Sequence, residues 1–251
     1  MAKKDLKAAP KFPKVHYVIF EDEITSLGKV KYRAFTTGEH KKLLEAIAIR
    51  DNAAVINTLV AIIDAATFNA LPIEKTPMYI LDELYLKIYT KSMGEYTDVS
   101  FTCNDTNENG EKCNENFSVK VPLDSAKMEI PENFVENKVV KISETGGIKL
   151  RQPTAEQYKK LKSDSSYEIT DEFIFASIEC MFDGDNITVP GIDFTMDELA
   201  DYLETLPDSV MSEITEFFDS TPILTIEVNL KCPKCGNEHK FTLKGLDDFF
   251  G

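Results

Sequence analysis

The chain has 251 residues, 43% of them hydrophobic, and 43 acidic against 28 basic residues give a formal net charge of -15. That length supplies a core without disulfides, as one large or two small domains. The acidic balance repels a phosphate backbone, which excludes nucleic acid as the main partner, and no apolar run is long enough to span a bilayer.

The first fourteen residues carry five lysines, Lys3, Lys4, Lys7, Lys11 and Lys14, with no apolar run behind them. No signal peptide is expected, so the compartment is taken as reducing, where paired cysteines read as a metal site before a disulfide. The arm, 1–14, reads as a solubilising tail or as a contact for an acidic protein partner. A strand is expected over His16-Tyr17-Val18-Ile19-Phe20, a polar loop over Glu21 to Lys29, and a return strand from Val30 to Phe35. Thr36 or Thr37 caps the next helix, with Glu39 in its first turn. A second helix starts at Asn52 and is apolar on most faces. A third starts behind Thr76-Pro77 and stops near Gly94.

The segment Val99-Ser100-Phe101-Thr102-Cys103 then reads as a strand running into a cysteine. A polar loop leads to Cys113, and Phe117 to Val121 returns. Residues 122–137 read as a linker. A second hairpin follows, Val139 to Ile142 and Ile148 to Arg151, turning at Gly146-Gly147. Helices are expected near Thr170 to Met181, Thr195 to Leu203 and Pro207 to Phe218. A strand over Leu224 to Leu230 enters Cys232, and Lys240 to Leu243 leaves Cys235.

The two halves share a spacing. Val30-Lys31-Tyr32-Arg33, Thr36 and His40-Lys41-Lys42-Leu43 match Ile148-Lys149-Leu150-Arg151, Thr154 and Tyr158-Lys159-Lys160-Leu161. Each half reads hairpin, helices, then a Cys-bearing hairpin. The expected fold is therefore α+β with two pseudo-repeats, 15–121 and 138–244, followed by an acidic-aromatic tail, 245–251.

Cys232-Pro233-Lys234-Cys235-Gly236 has the form of a zinc knuckle. Two thiolates at that spacing reach one metal, and turn amides can donate to the sulfurs. Cys103 and Cys113 supply the other two ligands of a shared, structural Zn2+ site of zinc-ribbon type. A vestigial metal-free site and a redox pair are the alternatives; redox Cys pairs usually open a helix, and this pair lies between strands. His239 could replace one ligand, although His16, His40 and His239 are scattered. Cys180 reads as core. Arg33 and Arg151 suggest a salt bridge or a carbonyl contact near a helix start. The acidic helix faces read as solvated surface or as an interface for basic proteins. No spaced catalytic constellation appears, so no enzyme activity and no small-molecule substrate are expected. Leu246, Phe249 and Phe250, set among acids, read as a docking element for this chain's own core or for a partner groove.

The two Cys hairpins, the Cys-Pro-Lys-Cys-Gly knuckle and the ending Gly245-Leu246-Asp247-Asp248-Phe249-Phe250 together resemble the baseplate hub proteins of T-even-like contractile-tailed phages. The resemblance spans most of the chain. It implies a late viral protein, structural or chaperone-like, with no catalytic residues. Its partners would be other hub or tail proteins. It would be located in the virion baseplate or in the host cytoplasm during assembly. The long loop between Cys103 and Cys113 departs from the family's pattern. A zinc-ribbon regulator of host transcription machinery is the rival reading.

Overall fold

The structure is a computed structural model that describes residues 12–49, 51–106, 112–159 and 170–250. Most of the lysine arm and the pair Lys160-Leu161 lie outside the described residues, as does part of the loop between Cys103 and Cys113.

The chain is mixed α+β. The first hairpin pairs β1 (Phe20–Ile24) with β2 (Gly28–Tyr32). Its first strand starts four residues later than the apolar run suggested, and its second starts two residues before Val30. Residues 12–19 are exposed, and the strand is the acidic Phe20-Glu21-Asp22-Glu23-Ile24 instead. Cross-strand chemistry explains this: Glu21 faces Lys31, and the Tyr32 hydroxyl donates to Asp22. Opposite charges across a ladder stabilise a strand that hydropathy alone would not mark.

Three helices follow, α1 (Thr37–Ile49), α2 (Asn52–Ala66) and α3 (Met78–Met93). At the start of α1, Thr36 Oγ1 accepts from the Glu39 amide at 3.3 Å, and Glu39 returns the contact to the Thr36 amide at 2.6 Å. That reciprocal box satisfies two otherwise orphaned donors. Glu39 also holds Arg33 through two hydrogen bonds, 2.7 and 2.9 Å long. These bonds pull the Glu39 carboxyl below its ordinary range and raise Arg33. Burial works against both shifts.

The first Cys hairpin is β3 (Tyr96–Cys103) with β4 (Glu115–Pro122). Residues 122–137 are not bare linker. A 3-10 turn, Leu123–Ser125, leads into β5 (Lys127–Glu129), which pairs with the start of β10 (Ile223–Lys231). β10 also pairs with β11 (Glu238–Lys244), the second Cys hairpin. The chain then forms a short helix, α8 (Gly245–Phe250).

Between these lies a four-stranded antiparallel sheet in sequence order: β6 (Asn137–Lys141), β7 (Gly146–Arg151), β8 (Ile178–Asp183) and β9 (Asn186–Thr188). At Gly147 a Cβ would lie 2.7 Å from the Val140 carbonyl oxygen and 3.0 Å from the Phe182 ring. Only glycine lets β7 pass that closely. The helix expected over Thr170 to Met181 is shorter: α5 (Asp171–Ser177) runs directly into β8. Cys180 sits on β8 and is only half-buried. The rest of this region is α4 (Ala155–Tyr158), α6 (Met196–Leu203) and α7 (Asp208–Asp219). In α7, Val210, Ile214, Phe217 and Phe218 form one buried face.

The described residues form two hydrophobic clusters. One joins β1–β2, α1–α3 and the β3–β4 base to β10, β11 and α8. The other gathers β6, β7, α5, β8, α6 and α7. Residues 223–250 thus complete the first cluster although they follow the second in the chain.

Candidate metal centre

The two Cys hairpins meet at their tips. Phe101 on β3 lies against Phe241 on β11, with ring centroids 4.9 Å apart. This contact and the Thr97 hydroxyl, which donates to the Phe249 carbonyl at 2.9 Å, align the hairpins. Cys103 ends β3, and Cys113 stands just before β4. Cys232 follows β10, and Cys235 occupies the turn to β11.

In that turn the Gly236 amide donates to the Cys232 carbonyl at 3.0 Å, and Gly236 itself has φ +77°. This left-handed conformation suits glycine and folds the turn back so that both sulfurs face inward. Across the junction, the Lys234 ammonium donates to the Cys113 carbonyl at 2.9 Å, and the Asn237 amide group to Asp105 at 2.8 Å.

All four sulfurs lie within 4.8 Å of one another. Cys103 Sγ is 3.7 Å from Cys235 Sγ, and Cys113 Sγ is 3.8 Å from Cys232 Sγ. A tetrahedral zinc with bonds of about 2.3 Å keeps its sulfurs about 3.8 Å apart. The donor set and its spacing therefore fit a single tetrahedral ion.

Backbone amides aim at the sulfurs on both sides. Those of Cys235 and Lys234 donate to Cys232 and draw its thiol down to about 6. Cys103 receives the Asp105 amide, yet burial and the neighbouring sulfurs push it up to about 12. Cys113 is raised as well, chiefly by burial. One thiolate forms readily here and its neighbours resist following, because burial and then the adjacent sulfurs disfavour a further charge. A divalent cation removes that conflict and lets all four ionise.

Of the sequence-marked residues, the structure brings Cys103, Cys113, Cys232 and Cys235 into one cluster. His239, the possible replacement ligand, stands beside it, with Nε2 3.4 Å from Cys103 Sγ and 3.3 Å from Asp105 Oδ2. Asp105 drew no attention in the sequence; its only signal was its place two residues after a cysteine. Leu246 and Phe249 are buried in this chain's own core, so a partner cannot reach them while α8 is docked. Phe250 is half-buried, its ring 4.4 Å from that of Tyr89. A groove of about 530 Å³ runs beside α7, lined by groups such as Asp208, Ser212, Glu216 and Asp219. Among the described residues no helix is long and apolar enough to cross a membrane.

The chain is thus an α+β protein whose paired hairpins converge on four thiols at a candidate metal centre. The family model for T4 bacteriophage base plate protein matches residues 16–251, and the chain belongs to that family. Membership implies a structural role in the phage baseplate and contacts with other phage tail proteins. Neither the curated proteins nor the solved structures yielded a match.

Proposed function

We propose that this protein is a non-enzymatic component or assembly factor of the baseplate hub, with a structural zinc held by Cys103, Cys113, Cys232 and Cys235. The sulfur spacing carries the reading. Residues 103 and 235 are 132 apart in sequence, and one ion between them would tie the first Cys hairpin to the second. Four thiolates leave no open position for substrate or water, so such an ion clamps and does not catalyse.

The duplicated origin of the two halves belongs to the same reading. It is supported by matched capping boxes: Thr36 with Glu39 in the first half, Thr154 with Gln157 in the second. Both open the helix that follows a hairpin of the same spacing. The second half differs in adding β8 and β9 to its hairpin sheet. The basic arm and the accessible part of Phe250 are the proposed contacts with hub partners.

The test has two parts. Elemental analysis of the purified protein should find about one zinc per chain, and the Cys103→Ser/Cys232→Ser variant should lose it. Unchanged metal content in that variant refutes the shared site. Mass spectrometry of hub intermediates and finished particles should detect the chain in at least one; absence from both refutes the hub role.

A further inference from the structure

The four-sulfur cluster has a neighbour that the four-ligand description leaves unused. His239 projects from β11, where it pairs with Leu230 of β10. Its Nε2 is 3.4 Å from Cys103 Sγ. For ligands of one zinc, with bonds of about 2.1 Å to nitrogen and 2.3 Å to sulfur, the nitrogen–sulfur separation is about 3.6 Å. His239 thus already stands at ligand distance from one of the sulfurs. Cys103, Asp105 and His239 form a second possible donor group, and its overlap with the four sulfurs is Cys103 alone.

The four cysteines are not equivalent. Cys103 and Cys232 are buried and Cys113 is half-buried, while Cys235 is exposed. Cys235 is also the sulfur paired with Cys103, at 3.7 Å. The thiolate that solvent, oxidants or a competing thiol reach first therefore adjoins the same sulfur that His239 touches.

We propose that the centre offers five donors for four positions, with His239 Nε2 taking the place of Cys235 when that thiolate leaves. The ring swings toward the vacated corner, and its proton resides on Nδ1 so that Nε2 presents a lone pair. The ion stays bound through three thiolates and one imidazole. The Cys103–Cys232 link between the hairpins survives while the outer turn is released. This rests on the metal reading above, and the experiment separates the two.

Cobalt(II) is loaded into full-length protein, wild type and variants. Wild type and His239→Ala should each bind about one cobalt with an all-thiolate spectrum. Cys235→Ser should also bind one; its charge-transfer band should be about a quarter weaker, and its ligand-field bands should move to shorter wavelength as nitrogen replaces sulfur. Cys235→Ser/His239→Ala should bind at least about tenfold more weakly. The same spectrum and affinity in Cys235→Ser with and without His239 overturn the proposal; water or Asp105 then fills the corner. Loss of metal or of fold in both Cys235→Ser and Cys235→Ala overturns it as well, because a reserve ligand should hold the site. If wild type binds no cobalt, the metal reading itself fails and this one falls with it.

Discussion

Phe249 gives a direct measure of how firmly the C-terminal helix is built into the body. Its side chain is 1% exposed, in the cluster that also holds Leu81, Leu84 and Ile226. Its carbonyl accepts from Thr97, 152 residues upstream. Truncating a fully buried phenylalanine costs about 3–5 kcal/mol in lost transfer energy and residual cavity. For a chain of this size each kcal/mol moves the midpoint by about 2–4 °C, so Phe249→Ala should melt about 6–20 °C lower. Thermal unfolding followed by near- and far-UV circular dichroism is the assay. Two clusters allow two transitions, and the shift should appear in the one that carries the first cluster. Phe250→Ala is the comparison. Its ring rests on Tyr85 and Tyr89 at a half-exposed site, and its loss should cost about 0.5–1.5 kcal/mol of aromatic contact. A Phe249→Ala midpoint within about 1 °C of wild type would mean that α8 is not seated on α3 and β3 in solution.

The Arg33–Glu39 pair and Asp82 provide two further checks. Arg33→Met strands a Glu39 carboxylate whose side chain is 18% exposed; it should cost about 2–4 kcal/mol in urea unfolding, with Arg33→Met/Glu39→Gln recovering part of the loss. A double variant as unstable as the single one would refute the pairing argument. Asp82 on α3 is pushed up to about 7 by burial and then by the nearby Asp247 carboxylate. Its folded-state value lies above the unfolded one, so the folded state holds the extra proton between them. This contribution is therefore complete below about pH 4 and lost as pH rises through about 7. Asp82→Asn should flatten that slope and stabilise the protein at pH 8; an unchanged pH profile between 5 and 8 would sink this account.

Much of the metal centre was legible because its signal is local. A Cys-Pro-Lys-Cys-Gly turn fixes sulfur direction within five residues, and strands on both sides of each cysteine pair followed from alternation. Helix starts were also legible where a Thr caps and a Glu or Gln answers three residues later, as at Thr36 and Thr195. What escaped depends on distant partners. β5 is three residues long and exists because Ile223 to Thr225 lies beside it. β1 is acidic and forms because Lys31 and Tyr32 face it. The apolar run Phe173 to Ile178 fits a helix or a buried strand equally well, and the edge offered by β7 decides that its end becomes β8. His239 was legible as a residue type but not as a neighbour of Cys103, 136 positions away. The matched arginines diverge for a simple reason. Arg33 finds Glu39, whereas the position matching Glu39 in the second half holds the neutral Gln157, and Arg151 Nε has no hydrogen-bond partner among the described residues.

The interleaving of the two clusters bears on how the chain matures at the ribosome. Every buried member of the second cluster has been synthesised by residue 218, but the first still awaits Phe249. At translation speeds of about 5–20 residues per second, the younger sequence is ready to condense some seconds before the older one. Until then the early helices wait with an open apolar flank. A ribosome that stalls between these two points would release a half-finished product, one lobe set and the other unsealed, a natural substrate for chaperones or proteases.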